Sequence, residues 1–222
     1  MMIDGREHFQ KELHKLNDLI LKMGGMVEKG IFNSIEALKK NNPKMAREVI
    51  VEDDKTDQLE LAVDDLCLEL LATQQPMAVD LRFITTGMRI GSDLERIGDL
   101  AVDIAQRAEE LAAQPLLKPL EDIPKMAELA EKMVHKALDS FVKRDAALAR
   151  ALWEDEEKAD GYRDLVQDEL TAIMTRDPSS ASRAIPLILI ARHLERIADH
   201  ATNIAEDVVY MVEGKVIKHA PK

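Results

Sequence analysis

Pairs of acidic residues spaced four positions apart are the residues in this sequence best placed to do chemistry. On an α-helix, carboxylates at this spacing lie on one face, about 6 Å apart along the axis. If neighbouring helices set two such pairs side by side, four carboxylates converge, and that charge is tolerated only when it is solvated, paired with Arg or Lys, or neutralised by a metal ion. The candidate pairs are Asp53 with Asp57, Glu95 with Asp99, Glu156 with Asp160, and Glu195 with Asp199.

Two interpretations of these pairs stay open on the residues alone. The pairs form a surface metal cluster, or they form a solvated or arginine-paired face, with Arg96 and Arg196 directly after two of the glutamates. A metal site built only from oxygen atoms suits Mg²⁺, Mn²⁺ or Fe³⁺ better than structural Zn²⁺, which prefers sulfur and nitrogen. Asp103 and Asn203 extend the acidic stripe by one further turn and are second-tier candidates.

Other kinds of active site lack their sequence signatures. The chain has no P-loop, no GxGxxG and no HExxH, and no Glu is followed three residues later by the His that a ferritin-like di-iron site needs. The single cysteine, Cys67, stands among leucines and is predicted to pack as a small hydrophobic residue. The histidines are predicted to lie on the surface; they are His8, His14, His135, His193, His200 and His219.

The elements that carry the acidic pairs are predicted to be long helices. The 222 residues are 46% hydrophobic but only 3% aromatic, with few Gly and Pro, which is typical of helical rather than β proteins. From Leu94 to Ala108, apolar residues alternate at spacings of three and four, which indicates the seam of a helical bundle. The predicted helices cover 6–40, 43–73, 76–113, 121–144, 146–176 and 178–213.

Local signals mark the ends and weak points of these helices. Asn42 and Asp177 each precede a proline and are predicted N-caps with proline at the first helical position. Gly24–Gly25 and Pro186 fall inside predicted helices and are expected to bend or break them.

The second half of the sequence repeats the first. Residues 94–105 align without gaps on 194–205 with eight of twelve positions identical, and residues 46–57 align on 149–160 with four identities and three exchanges of one acid for another. All four acidic pairs fall at equivalent positions of the two copies. We therefore predict an all-α fold in which six long helices form two tandem, sequence-related antiparallel three-helix bundles. The predicted domains are 1–115 and 116–222.

Charge and hydropathy restrict the surroundings of the protein. The formal net charge is −12 and no basic run is present, which argues against binding nucleic acid or an anionic membrane surface. The longest apolar run, 184–191, is far shorter than the roughly 20 residues that span a bilayer. The single cysteine and the absence of an apolar leader near the N-terminus predict a cytoplasmic location.

Three stretches of the sequence resemble the PhoU family, the accessory regulators of bacterial phosphate-specific transport. They are QPMAVDLRFI at 75–84, DLERIGD at 93–99 and LERIADHATNIAE at 194–206. The resemblance covers essentially the whole chain. It implies that all four acidic pairs are metal-binding motifs for iron, zinc, manganese or magnesium. Asp103 is replaced by Asn203 in the second copy, so the two sites need not match, and His200 adds a nitrogen ligand only if its helix rotates toward the stripe.

The resemblance also implies a function that no spacing in the sequence reveals. Similar proteins repress the phosphate-starvation response when phosphate is plentiful. They act as adaptors between the ATPase subunit of the phosphate ABC transporter and a phosphate-sensing histidine kinase, form homodimers and have no enzymatic activity. The alternative is a metal-dependent enzyme that works at the carboxylate clusters.

Overall fold

A computed structural model describes residues 2–217 of the chain, with side chains from residue 6 onward. Within these residues every regular element is helical, which confirms the predicted all-α class. No helix among them is both long enough and apolar enough to cross a membrane. The α-helices are α1 (Met2–Lys39), α2 (Pro43–Glu52), α3 (Asp54–Gln74), α4 (Ala78–Leu111), α5 (Asp122–Lys143), α6 (Ala146–Arg150), α7 (Trp153–Arg176) and α8 (Ala181–Glu213), and a 3₁₀ turn at Pro178–Ser180 precedes α8.

The helices form two units of the same design, as the sequence repeat predicts. In the first unit, α1 and α4 pack with the interrupted helix α2–α3, and in the second, α5 and α8 pack with the interrupted helix α6–α7. The helices pack in this way because a helix with one apolar stripe must bury that stripe against its neighbours. The predicted seam of α4 is buried: Leu94 and Ile97 expose none of their surface and Ala101 only 1%.

The same turn joins the first two helices of each unit. Asn41 and Arg144, at equivalent positions, both adopt a positive φ, 50° and 51°. The residue after each one caps the next helix: the Asn42 side chain accepts hydrogen bonds from the backbone N–H groups of residues 44 and 45, and that of Asp145 accepts from residues 147 and 148. These caps end one helix and begin the next within three residues, which forces the antiparallel arrangement. The predicted caps at Asn42 and Asp177 are confirmed.

The middle helix of each unit lies at its predicted position, 43–73 or 146–176, and contains one short interruption that was not predicted. In the first unit the chain turns at Asp53, between α2 and α3, and in the second it turns at residues 151–152, between α6 and α7. The apolar spacing continues across both interruptions, and periodicity alone therefore does not reveal them. In the second unit the Lys136 ammonium donates to the carbonyl oxygen of Ala151 at 2.8 Å, which satisfies a backbone group at the interruption.

The expectation that Gly24–Gly25 and Pro186 bend or break their helices is wrong as far as breaks are concerned. Helix α1 runs through both glycines, and α8 runs through Pro186. Pro186 is buried and stands near the start of α8, where its missing N–H removes one hydrogen bond from a helix of 33 residues. Packing of the apolar stripe outweighs these local preferences.

The two units share one continuous apolar core. The most extensive contact between them joins α4 to α8, and α1 also packs against α5. Aromatic stacking adds to this interface, because the rings of Phe83 and Phe141 lie 5.2 Å apart. The linker between the units covers residues 112–121 and includes the predicted boundary. The apolar side chains of the two units pack together in one core. The division into domains 1–115 and 116–222 stays a prediction.

Polar side chains along the contact of α4 with α8 pair across the two units. Arg89 Nη1 donates to Asp207 Oδ1 at 3.1 Å, and Asp207 is almost fully buried. His200 Nδ1 lies 2.8 Å from Asp93 Oδ1. The prediction that the histidines lie on the surface is wrong for His200 and His193, which expose only 19% and 16% of their side chains because α4 covers them. His219 lies outside the described residues.

Two adjacent glycines on α1 allow a matched test of the contact between the units. A Cβ added at Gly24 would lie 2.2 Å from Leu138 Cδ1 of α5, whereas one added at Gly25 would meet no atom within 4 Å. We expect Gly24→Ala to lower the free energy of unfolding by about 1–2 kcal/mol through overpacking. Gly25→Ala should raise it by about 0.5–1 kcal/mol, because alanine is the better helix former.

Urea denaturation of the two variants and the unchanged protein, followed by circular dichroism, measures both effects. Equal effects of the two substitutions would contradict the close approach of α1 to α5 at Gly24.

Candidate functional site

The acidic pairs of the first unit lie side by side. Asp53 and Asp57 stand at the turn before α3 and in its first helical turn, and Glu95 and Asp99 lie midway along α4. The pKa of Asp53 is raised to about 6, first by burial and then by the negative charges of Asp57, Asp99 and Glu95. These four residues, the first cluster, therefore act on one another electrostatically although they come from two separate segments of the sequence.

The pairs of the second unit converge in the same way on α7 and α8. Here the pKa of Asp199 is raised to about 6, first by burial and then by the charges of Glu195, Glu156 and Asp160. We call these four residues the second cluster. The structure thus brings together the two predicted pairs of each unit. The side chains of both clusters are half-buried or exposed and lie away from the apolar core.

Glu60 lies beside the first cluster and is an acidic residue that the sequence pattern did not predict there. It lies one turn after Asp57 on α3, and its charge contributes to the raised pKa of Glu95 on α4. The pKa of Glu60 is itself raised, mainly by burial and by the charges of Asp64 and Asp57. Selecting acids that recur in both copies removes this residue, because position 163 of the second copy is Arg.

A glycine on α4 makes room for the Asp53 carboxylate. A Cβ added at Gly98 would lie 2.7 Å from Asp53 Oδ1, so a larger residue at this position would displace the carboxylate. The equivalent residue of the second unit is Ala198. Asp53 also borders a pocket of about 190 Å³ between α1, α2, α3 and α4, whose polar lining includes Lys29 and Asn33.

Each cluster is paired with an arginine, but the two arginines lie at different positions of the repeat. In the first cluster Arg96 Nε lies 3.3 Å from Glu95 Oε2, and Arg96 Nη1 lies 3.0 Å from Asp99 Oδ2. In the second cluster the pairing residue is Arg163 of α7, whose Nη1 lies 2.9 Å from Glu195 Oε1 of α8. The prediction of Arg96 as a partner is confirmed. For the second cluster, sequence reasoning named Arg196, the residue after Glu195, and missed Arg163 on the neighbouring helix.

The second-tier residues lie at the edge of the clusters. Asp103 Oδ2 is 3.6 Å from His193 Nδ1, so this carboxylate is directed across the contact of α4 with α8. Asn203 is half-buried one turn beyond Asp199. The Nδ1 atom of His200 lies 2.8 Å from Asp93 Oδ1 of α4, and the charge of His200 also lowers the pKa of Asp199 in the second cluster.

The chemistry of the donor sets fits a hard cation, although the side chains do not enclose one as they stand. Within the described residues, no group of three or more His, Cys, Asp or Glu side chains is close enough to hold a metal ion. The carboxylates repel one another when no cation lies between them, and the exposed Asp57 and Asp99 are free of packing that would prevent rotation toward a shared ion. Oxygen ligands of this kind are those that Mg²⁺, Mn²⁺ and Fe³⁺ prefer.

The chain is similar in sequence to proteins of one family over nearly its full length. The sequence model of the PhoU domain matches it twice, over residues 20–108 and 123–208, once in each unit. A relative from Aquifex aeolicus, described as a phosphate-specific transport system accessory protein PhoU homolog, is 41% identical over 209 residues, 94% of this chain and 95% of the relative. A relative from Pseudomonas aeruginosa with the same description is 36% identical and covers 96% of this chain and 88% of its own.

Solved structures agree with this assignment. The crystal structure of PhoU from Pseudomonas aeruginosa matches with a TM-score of 0.90 and 37% identity, over 93% of this chain and 100% of that one. The phosphate transport system regulatory protein PhoU from Streptococcus pneumoniae matches with a TM-score of 0.87 and 30% identity, over 94% and 98% of the two chains. The fold and the site define an all-helical tandem repeat with an outward acidic cluster in each unit. The chain belongs to the PhoU family.

The raised pKa of Asp53 predicts a specific dependence of stability on pH in metal-free protein. Because the pKa is about 6 in the folded state and near 3.8 in the unfolded state, ionisation of Asp53 destabilises the fold above pH 6 and not below pH 4. We expect Asp53→Asn to raise the free energy of unfolding at pH 7.5 by about 1 kcal/mol, a value kept small because solvent reaches this half-buried side chain and screens the repulsion. The gain should fade as the pH falls from 6 to 4.

Chemical denaturation in chelator at a series of pH values tests this expectation. Asp65→Asn, on the exposed face of α3, is the matched control and should show no such pH dependence. A gain for Asp53→Asn that is the same at pH 4 and pH 7.5 would contradict the electrostatic origin of the effect.

Proposed function

We propose that this protein is a non-catalytic regulatory accessory protein of phosphate-specific transport. It negatively regulates the phosphate-starvation response in the cytoplasm, as an adaptor between the ATPase subunit of the phosphate ABC transporter and a phosphate-sensing histidine kinase, and it works as a homodimer. The observation that carries the proposal is similarity across both units, over more than nine tenths of the chain, to relatives described as accessory proteins of this transport system.

The distribution of surface features supports an adaptor. Long helices expose large apolar side chains at several places outside the core, including Met77 and Val79 at the start of α4 and Leu61 and Leu68 on α3. A contiguous patch of exposed apolar side chains is a feature of surfaces that contact other proteins, and these residues are the candidates for such a patch. The formal charge of −12 gives such contacts a preference for partner surfaces with basic residues.

Metal binding at the two clusters is a separate part of the proposal. The residues that would hold a cation are Asp53, Asp57, Glu95 and Asp99 in the first unit, and Glu156, Asp160, Glu195 and Asp199 in the second. A bound cation would neutralise the mutual repulsion of the carboxylates and so join α3 to α4, or α7 to α8, more firmly. The raised pKa values of Asp53 and Asp199 support the proposal, because they measure the repulsion that a cation would relieve.

A metal-dependent enzyme is the second candidate, favoured by the pocket beside Asp53. Lys29 and Asn33 at this pocket would be available to orient a small substrate next to a metal held by the first cluster. The adaptor is the stronger proposal, because the carboxylates of both clusters lie on an outer surface beside arginines and the relatives are described as accessory or regulatory.

Deletion of the gene tests the regulatory role. We expect a reporter of phosphate-scavenging genes to become active in high phosphate and to be silenced again by the complementing gene, because the adaptor is needed for repression. Repression that persists in the deletion strain would refute the role.

Co-purification of the transporter ATPase with the tagged protein tests the adaptor separately, and an ATPase that is never retained would contradict that part of the proposal.

Elemental analysis of protein purified without chelator tests metal binding. We expect Glu95→Gln/Asp99→Asn to hold less metal than the unchanged protein, because two of the four carboxylates of the first cluster lose their charge. Asp65→Asn/Glu69→Gln, on the exposed face of the neighbouring helix α3, is a control with the same change of net charge. Equal metal content in all three proteins would exclude Glu95 and Asp99 as ligands.

A further inference from the structure

The pocket between the four helices of the first unit has room for a small organic molecule. Its volume is about 190 Å³. At roughly 30 Å³ for each molecule of liquid water, this equals about six waters, or a molecule with a similar number of heavy atoms. The apolar part of its lining would cover a short hydrocarbon chain, and it consists of Met26, Val27, Val49 and Ala101.

Three polar side chains of the lining offer oxygen atoms that no described residue engages. Asp53 is half-buried, and the charges that act on its carboxylate are all negative. Thr56 is only 3% exposed, and neither its hydroxyl group nor the amide of Asn33 has a hydrogen bond to another described residue. A carboxylate, an amide oxygen and a hydroxyl oxygen are acceptors for the three N–H donors of an ammonium group.

The second unit carries a larger side chain where the pocket of the first unit is lined by Gly30. The equivalent residue in the repeat is Met133, which exposes none of its surface. In the first unit a Cβ added at Gly30 would lie 3.5 Å from Ala101 Cβ, an ordinary contact distance, so the backbone there leaves space for a side chain. The first unit therefore lacks a hydrocarbon chain that the second unit supplies from its own sequence.

The second unit also supplies an ammonium group at the equivalent place. Lys136 corresponds to Asn33 of the pocket, and Asp155 corresponds to the pocket residue Glu52. Lys136 Nζ donates to Asp155 Oδ2 at 3.0 Å, and its side chain is only 28% exposed. In the first unit Asn33 is shorter and carries no charge. The repeat thus shows which chemistry this part of the fold accommodates.

Two lysines that line the pocket of the first unit leave its carboxylate without a partner. Lys29 and Lys55 lie 3.0 and 3.9 Å from the carboxylate of Glu52, and their side chains are 60% and 64% exposed. Their charges are directed toward Glu52 and toward solvent. The second unit keeps lysine at both equivalent positions and still accommodates the Lys136 ammonium, so these lysines are compatible with a further ammonium group.

We propose that the pocket of the first unit binds a small primary alkylamine in its protonated form. The Asp53 carboxylate is the counter-charge, the oxygen atoms of Asn33 and Thr56 accept further N–H donors, and the apolar lining covers the hydrocarbon chain. In the second unit Lys136 brings the same group from within the chain. The net charge of −12 attracts such cations to the protein. The ligand is an organic cation, and its binding does not depend on the proposed function.

Filling the pocket without changing its charge tests the proposal, with n-butylamine as the probe. We expect calorimetric titration of the full chain, in buffer with EDTA so that metal ions play no part, to detect binding. Gly30→Met should abolish that binding, because it places the residue of the second unit in the pocket. Gly25→Met on the same helix is the matched control and should bind as the unchanged protein does, since an added Cβ at Gly25 meets no atom within 4 Å.

Removal of the counter-charge is an independent test that does not depend on the folding of Gly30→Met. Asp53→Asn should weaken the binding of n-butylamine by roughly tenfold or more, because a hydrogen bond to a charged group is lost. Asp65→Asn makes the same change of net charge on the exposed face of α3 and should leave binding unchanged.

Three results would overturn the proposal. The first is no binding of n-butylamine to the unchanged protein, and the second is equal binding to the unchanged protein and to Gly30→Met. The third is equal binding of n-butanol, which has the same chain without a charge. Nα-acetyl-lysine methylamide, whose chain ends in peptide groups, should bind less tightly than n-butylamine. Binding at least as tight would assign the pocket to a lysine of a partner protein and overturn the assignment of a free amine.

Discussion

The burial of one apolar stripe on α4 and its copy on α8 is the constraint on which the rest of the structure depends. These helices carry the most similar segments of the repeat, and Leu94, Ile97, Leu194 and Ile197 expose no surface at all. Because these faces are committed to the core, the acidic stripes on the opposite faces of the same helices are directed toward α3 or α7 and toward solvent. The hydrophobic effect thus places the clusters, although it acts on none of their atoms.

The two units share the same turn between their first and second helices but differ in the charged residues beside their acidic clusters. The turn between the first and second helices is the same in both, down to a backbone hydrogen bond of 2.9 Å that joins Asn42 to Ala37 in one unit and Asp145 to Ser140 in the other. A change there would alter the angle at which a whole helix packs. The residues around the clusters face outward, so an exchange such as Glu60 for Arg163 changes charge without disturbing the core.

Properties of this fold that are local or periodic could be predicted from the sequence, whereas those that depend on contacts between helices could not. The helix stripes, the caps at Asn42 and Asp177, the tandem repeat and the grouping of the acidic pairs all follow from spacing. The interruptions at Asp53 and at residues 151–152 leave the apolar spacing intact, and the burial of His193 and His200 depends on α4 lying over them. Arg163 reaches a cluster from a neighbouring helix, and no distance along the chain predicts that contact.

Comparison of the two copies is informative about fold and can mislead about chemistry. Retention of an acid in both copies selects Asp53, Asp57, Glu95 and Asp99 correctly as neighbours, since a shared backbone brings equivalent positions together. The same criterion discards Glu60 and treats the second cluster as a duplicate of the first, although Arg163 has already balanced part of its charge. Electrostatic energy depends on every charge in reach, including those that the copies do not share. A duplicated fold therefore predicts where the two acidic clusters lie, and the unshared residues around each one determine its local charge.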